Sequence, residues 1–316
     1  MSIIVPTYNV ENFIGRCATS IFSQNYDDME IIFINDCSSD NSENIIFATL
    51  EKYPYRKDQV RVVKTEKNSG IAAVRNLGIQ LAKGEYIYQV DGDDYLEPFV
   101  LHKYMEIVKS NKVDALIFDY YIDYCNYKEK ISYKFDDKNI LLCNILSADT
   151  PPCIWNKIIK KDVILKNDLN FINGINFGED YYWMVGVLRA CDSITYCDVV
   201  GYNYVRYNTK SYTSTIKDEY IYGLILILNK LKVELPQLNK FITLASKEKI
   251  VKNIKFLNSI NVLSEVDKFL NQPSYRNLKI IDFFFLFLLK VFGVKITLVF
   301  CNFFNFTYKM YKRIKN

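Results

Sequence analysis

Tyr86-Ile87-Tyr88-Gln89-Val90-Asp91-Gly92-Asp93-Asp94 passes from an apolar run straight into three carboxylates. The apolar half is short and rich in aromatic and β-branched residues, the mark of a buried strand. Carboxylates this close repel and raise each other's pKa, so a folded chain tolerates them mainly where a cation is shared. Oxygen ligands alone suit Mg²⁺ or Mn²⁺, ions commonly held by one or two carboxylates plus the phosphates of a substrate. The carboxyl ends of strands in an open α/β sheet are also where ligands bind. A solvated acidic turn is the plain alternative, and the remainder of the chain weighs against it.

Around this stretch, strand and helix patterns alternate at short intervals, as in a doubly wound α/β sheet. Strands are expected over 2–5, 30–35, 60–64, 86–90 and 113–118. Phe13, Ile14, Cys17, Ile21 and Phe22 recur at helical spacing, as do Ile45, Ile46, Thr49 and Leu50. A third helix is expected over 71–83, stopped by Gly84 as a C′ residue, and a fourth from Pro98. Residues 120–150 read as irregular or edge structure, punctuated by Pro151-Pro152. A helix is expected from Glu179, strands over 194–200 and 202–206, and helix over 217–270. The expected organisation is an α/β domain over 1–215, a helical extension over 216–274 and an amphipathic C-terminal segment over 275–316.

The chain has 316 residues, 50% hydrophobic and 24% charged, enough for one sizeable core with an appended region. A net charge of +4 is too weak to argue for a nucleic-acid partner. His102 is the only histidine, and none of the eight cysteines stands in a Cys-x-x-Cys pair. A zinc site and a Ser-His or Cys-His catalytic pair therefore find no support. Met1 leads into Ser2-Ile3-Ile4-Val5 with no basic region or long apolar core, so no signal peptide is expected. A reduced, cytoplasmic protein follows, with its cysteines as core filler.

Four further segments carry chemistry. Pro6 and Tyr8, after the first strand, can wall a flat base. Asn35-Asp36-Cys37-Ser38-Ser39-Asp40 ends the second, where Asp36 can accept a hydrogen bond from the N3–H of uracil. Asn68-Ser69-Gly70-Ile71-Ala72-Ala73-Val74-Arg75-Asn76-Leu77-Gly78 opens the third helix, where small residues permit close approach and Arg75 offers donors to phosphate or base. Asn176-Phe177-Gly178-Glu179-Asp180 puts two carboxylates at a helix start. Plainer roles stay open: Asp40 and Asn68 as N-caps, Arg75 as a surface cation, Glu179 as a complement to the macrodipole. With a sugar donor, Asp180 gains a task, because inverting transfer needs a carboxylate to take the acceptor hydroxyl's proton. A metal at Asp93 would then neutralise the departing diphosphate.

Val5-Pro6-Thr7-Tyr8-Asn9, Asn35-Asp36-x-Ser38-x-Asp40, Asn68-x-Gly70 through Ala73-x-Arg75-Asn76-x-Gly78, Asp91-Gly92-Asp93-Asp94 and Gly178-Glu179-Asp180 together resemble glycosyltransferase family 2. That resemblance implies a GT-A, Rossmann-like α/β fold with a mostly helical C-terminal extension, and an inverting, metal-dependent enzyme. It implies that Pro6, Tyr8, Asp36, Asn68 and Arg75 hold the uridine of a UDP-sugar, that Asp91 meets the ribose, and that Asp93 binds Mn²⁺ or Mg²⁺. Asp180 is implied as catalytic base, with Glu179 near the acceptor or donor sugar. Two later segments are similar to bacterial surface-polysaccharide members (capsule, O-antigen or similar). That similarity implies that Pro152-Cys153-Ile154-Trp155-Asn156-Lys157 lines the acceptor cleft through Trp155 and Lys157. It likewise implies that Tyr202-x-Tyr204-x-x-Tyr207, with Arg206 and Ser211, sits over the diphosphate. Many relatives place Gly or Pro between that Arg and Ser, where this chain has Tyr207-Asn208-Thr209-Lys210.

Three rival classes fit less well. An oxidoreductase on a Rossmann sheet would carry G-x-G-x-x-G after the first strand, where Pro6-Thr7-Tyr8-Asn9 stands. A nucleotidyltransferase of NDP-sugar synthesis would want a Gly-rich basic loop there. A catalytically inactive nucleotide-binding membrane module would have lost a metal or base carboxylate, and both are present. Residues 280–306 are dominated by Phe, Leu, Ile and Val, broken by Asp282, Lys290, Gly293 and Lys295, and followed by Lys309, Lys312, Arg313 and Lys315. The pattern reads as interfacial helices on an anionic leaflet rather than a span. The alternatives are a helix docked on the protein's own core or at a homo-oligomer interface. The expected setting is the inner face of the cytoplasmic membrane, with a glycan acceptor that is lipid-linked.

Overall fold

The computed structural model describes residues 1–147, 149–209 and 218–238 and, beyond them, 242, 266, 284, 285, 288, 289, 294–302 and 304. In chain order the elements are β1 (Ser2–Thr7), α1 (Ile14–Phe22), β2 (Glu30–Asn35), α2 (Ser42–Leu50), β3 (Val60–Lys64), α3 (Ile71–Leu81), β4 (Tyr86–Gln89), β5 (Tyr95–Leu96) and α4 (Val100–Asn111). They continue with β6 (Ala115–Asp123), β7 (Lys128–Ile131), α5 (Lys138–Leu146), β8 (Lys157–Lys160), α6 (Lys161–Lys166), α7 (Glu179–Ala190), β9 (Ile194–Val205) and α8 (Asp218–Glu234).

The strands form one sheet in the order β3-β2-β1-β4-β8-β6-β9-β5, with β7 beside the far half of β6. The β3-β2-β1-β4 block is parallel. Its apolar runs, Ile3-Ile4-Val5 and Ile31-Ile32-Phe33-Ile34, are fully buried, as a sheet covered on both faces requires. On α1 the stripe Ile14, Cys17, Ala18, Ile21 and Phe22 is fully buried. A Cβ at Gly78 would collide with the Ile4 side chain, so α3 lies directly on β1. Past β4 the sheet turns mixed: β8 runs antiparallel to β4 and β6, and β9 returns parallel to β6.

Several expectations are corrected. α3 ends at Leu81, with Ala82 extended, and Gly84 is no left-handed cap. Gly84 is needed because a Cβ there would strike the backbone of Met1 and Ser2. Residues 120–150 contain the end of β6, the edge strand β7 and the helix α5, so the edge reading holds for β7 and the irregular one fails, and 194–205 is one strand, not two. β8 and α6 had no sequence expectation, because Lys157–Lys166 mixes charge and apolar residues without a clean period. The cysteines are all free, yet only Cys17, Cys191, Cys197 and Cys301 are buried, and Cys125 is exposed.

The chain divides into two compact units, Met1–Leu142 with Pro152–Lys210, and Cys143–Pro151 with Ser211–Asn316. The first holds the whole sheet and α7. In the second, α8 buries Tyr220, Ile221, Leu224, Ile225, Ile227, Leu228 and Leu231. No helix among the described residues is long and apolar enough to cross a membrane. The expected boundary at 274–275 lies outside the described residues.

Candidate active site

The acidic turn stands at the carboxyl ends of β1 and β4, seated so closely that a Cβ on Gly92 would come 2.8 Å from the Pro6 carbonyl oxygen. Its three carboxylates have separate surroundings. Asp94 is 1% exposed and accepts from the Tyr202 hydroxyl at 2.6 Å and the Val205 N–H at 2.8 Å. Burial, then Asp93 and Asp91, hold its pKa well above the carboxylate range, so Asp94 is a structural anchor. Asp91 takes an ion pair from Arg75 Nη2 at 3.0 Å. Asp93 accepts from Asn208 Nδ2 at 2.8 Å, and burial, then Asp91, pushes its pKa up to about 6.

Asp36, 3% exposed at the end of β2, binds the loop before α3. Its carboxylate accepts from Thr65 Oγ1 at 2.9 Å, the Ser69 N–H at 2.8 Å and the Gly70 N–H at 2.9 Å. A carboxylate has about four lone-pair sites, so one remains for a ligand N–H. Beside it Pro6 is buried, Tyr8 is 50% exposed and Asn68 is exposed.

Arg75, 5% exposed on α3, joins the turn to α7. Besides Asp91, its guanidinium bonds Glu179 Oε1 at 2.5 Å through Nη1, and its Nε has no partner. Gly178, at φ 80, turns the chain into α7, setting Glu179 and Asp180 in the first turn. Glu179 is 8% exposed, and burial, then Asp180, raises its pKa to about 7 against the pull of Arg75. Asp180 is half-buried and accepts from the Tyr181 N–H at 2.7 Å.

The expected acceptor-cleft residues are buried. Trp155, 7% exposed, stacks on Tyr202 at 4.5 Å and on Tyr204 at 5.3 Å, with Tyr120 edge-on at 4.6 Å. Lys157, 1% exposed, donates to the Cys153 carbonyl and to Asn156 Oδ1. Tyr202 lies wholly buried under the acidic turn, where its hydroxyl also accepts the Asp91 N–H at 3.1 Å. Arg206 is exposed beside Tyr204, and Ser211 lies outside the described residues.

Two contributors went unread in the sequence. Asn208 reaches Asp93 from 115 residues away. Arg16 lies 4.0 Å over the Tyr95 ring and donates to Tyr207 at 2.5 Å, tying α1 to the chain after β9. Nothing local marks either one. Among the described residues no three His, Cys, Asp or Glu side chains group to hold a metal. With Asp91 given to Arg75 and Asp94 to Tyr202, the donor set fits a hard cation bound by Asp93 and completed by phosphate oxygens, a common arrangement for Mg²⁺.

Comparison with known proteins gives the family and the fold. The uncharacterized glycosyltransferase EpsJ of Bacillus subtilis (strain 168) is 29% identical over 221 residues, 67% of this chain and 62% of that one. The chain spans 60–62% of the length of the first curated relatives it matches. The crystal structure of S. aureus TarS 1-349 in complex with UDP-GlcNAc superposes with a TM-score of 0.64 at 18% identity, covering 98% of this chain and 91% of that one. The mannosyltransferase PcManGT from Pyrobaculum calidifontis, in complex with GDP-Man and Mn²⁺, gives 0.55 at 14% identity, covering 96% and 84%. The fold is thus the α/β GT-A fold. Since the profile of Glycosyl transferase family 2 matches residues 2–162, just over half of the 316, the chain belongs to that family.

Proposed function

We propose that the chain moves a hexose or N-acetylhexosamine from a UDP-sugar to a glycan acceptor with inversion, in surface-polysaccharide synthesis. The observation that carries this is the Arg75 bridge between Asp91 at the strand end and Glu179 at the start of α7. The bridge ties the acidic turn to the start of α7, where Asp180 follows Glu179, and this supports a shared site. Asp180 takes the acceptor hydroxyl's proton as that oxygen bonds the anomeric carbon, and the bond to the diphosphate breaks with its electron pair leaving on UDP. Asp36, with one acceptor site left, receives the uracil N3–H, while Pro6, Tyr8 and Asn68 enclose the base. Arg206 and Ser211 serve the diphosphate, and Trp155 supports the acceptor side through its stack. Asp93 would hold Mn²⁺ or Mg²⁺, which supplies Lewis-acid neutralisation of the leaving diphosphate when bound. UDP-GlcNAc is the first donor to try, because a structure sharing this fold binds it.

A peripheral seat on the inner membrane face, reaching a lipid-linked acceptor, completes the reading. Phe284, Ile296, Val299 and Phe300 of the second unit are between 41% and 67% exposed, which supports it. The basic cluster Lys309, Lys312, Arg313 and Lys315 lies outside the described residues. The test is a donor screen on the purified chain, scoring nucleotide release from UDP-, GDP- and TDP-sugars with Mn²⁺ and with EDTA. UDP release that needs the metal is expected. Release from GDP-sugars alone, or full activity in EDTA, overturns the donor or the metal.

A further inference from the structure

Asn208, in the segment that leaves β9, donates to Asp93 Oδ2 at 2.8 Å, and the residue before it is fastened to α1. Arg16 donates from Nη1 to the Tyr207 hydroxyl at 2.5 Å. Its guanidinium lies 5.6 Å from the centre of that ring and 4.0 Å from the centre of the Tyr95 ring. Phe13 packs on Tyr207 from the same side of the chain, ring centres 6.1 Å apart. Tyr95 is itself held, donating to Asp123 Oδ2 at 2.8 Å, and that oxygen stands 3.8 Å from Arg16 Nη1. Arg16 is thus slotted between two tyrosine rings. Stability alone does not account for an arginine here, because Nη2 is buried with no hydrogen-bond partner among the described residues, a costly state for a donor. The chain from Val10 into α1 also backs the acidic turn. A Cβ on Gly92 would come 3.3 Å from the Val10 side chain and 3.4 Å from that of Ile14, and Cys17 Sγ donates to the Asp91 carbonyl at 3.6 Å. One helix therefore supports both the turn that carries Asp93 and the segment that carries Asn208.

We propose that Arg16 is a positioning residue for the cation site: through Tyr207 it holds Asn208 on Asp93, the carboxylate that would bind Mn²⁺ or Mg²⁺. This rests on the reading of Asp93 as the metal ligand. A ligating carboxylate that is itself hydrogen-bonded keeps its orientation, and loss of such an outer partner typically weakens metal binding about 10–100-fold. The Arg206 N–H still bonds the Asp123 carbonyl at 2.9 Å, and past it the segment has left the sheet, so side chains fasten it. The charge of Arg16 works in the opposite direction. A cation near the site repels a divalent ion, so its removal by itself would strengthen the metal's hold. Positioning and charge are therefore separated by the sign of the change.

The test is UDP affinity by calorimetry at pH 8, once with Mn²⁺ and once with EDTA, on the full chain. The ratio of the two affinities is the metal's contribution, and the value in EDTA reports on the nucleotide pocket and the fold. Arg16→Met should lower the ratio about ten-fold, and Asn208→Ala at least as much, with the affinity in EDTA little changed. The double variant should be no worse than Asn208→Ala alone, because both residues act through one hydrogen bond. Tyr207→Phe removes the hydroxyl and leaves the Arg16 charge, so its ratio should also fall, and it carries the test where Arg16→Met fails to fold. A ratio unchanged or raised in Arg16→Met, or in Tyr207→Phe where that variant stands in, overturns the proposal. So do additive losses in the double variant. A wild-type ratio of one overturns the metal reading itself, and the proposal with it, and is told apart because it is read on the unaltered chain.

Discussion

Arg75 holds a carboxylate at each end of its guanidinium and leaves its Nε buried and unpaired. Arg75→Met would strand Glu179 beside Asp180 without a cation, a loss of about 3–5 kcal/mol for a broken buried pair. Urea unfolding measures it, and a loss below ~1 kcal/mol would mean the bridge is relaxed in solution. Glu179 also predicts a pH dependence. Its folded pKa of about 7 stands above the ordinary 4.5. Its contribution to stability is therefore fully present below pH 4.5 and lost as pH rises through 7. Melting temperature should fall between pH 5 and 8 more in wild type than in Glu179→Gln, and parallel curves would contradict that. Asp180→Asn keeps shape and removes basicity, so kcat should drop roughly 10²–10⁴-fold with UDP affinity held. A product whose anomer is retained would remove Asp180 from the role.

At the scale of elements, the loop from Thr65 to Gly70 joins β3 to α3 and hangs on the buried Asp36 carboxylate. Gly70 sits at φ 84, ψ 160, backbone open essentially to glycine alone, and the Asn176 side chain fills the space a Cβ would take. Gly70→Ala should cost about 1–3 kcal/mol of stability. It should also weaken UDP binding, because the displaced loop carries Asn68. Calorimetry showing undiminished UDP affinity in a folded Gly70→Ala variant would take this loop out of the nucleotide site. β9 has a comparable supporting task, since its Tyr202 hydroxyl joins the Asp91 N–H to the Asp94 carboxylate and its ring stacks on Trp155.

For the whole molecule, the first unit carries every described residue assigned to the nucleotide or the chemistry. The second presents apolar side chains outward: Tyr222, Leu226 and Val233 on α8, and Ile296, Val299 and Phe300 further on. A leaflet contact by this unit should show as flotation with anionic liposomes at low salt and release as salt rises, since each surface cation adds about 1 kcal/mol. Neutral vesicles should retain much less protein. If the full chain fails to float with strongly anionic vesicles, the exposed apolar residues serve packing or self-association instead.

Local sequence was enough for the parallel core, because Ile3-Ile4-Val5 and Ile31-Ile32-Phe33-Ile34 are continuous apolar runs that only a sheet covered on both faces can bury. It was enough, too, for the acidic turn at a strand end and the carboxylates at the start of α7. It misread Gly84, where close approach rather than a helix cap requires the glycine, and within 120–150 it allowed for edge structure but missed the helix α5. It also treated Asp91, Asp93 and Asp94 as one cation-sharing cluster. Tertiary structure assigned each its own partner: Arg75 for Asp91, Asn208 for Asp93, Tyr202 and Val205 for Asp94. Glu179, Asn208, Tyr202 and Val205 reach the Arg75 and Asp91–Asp94 groups across 104 to 115 residues of chain. A carboxylate's charge state depends on burial and on the donors and charges a few ångströms away. Folding brings those neighbours in from elements that local pattern treats as unrelated.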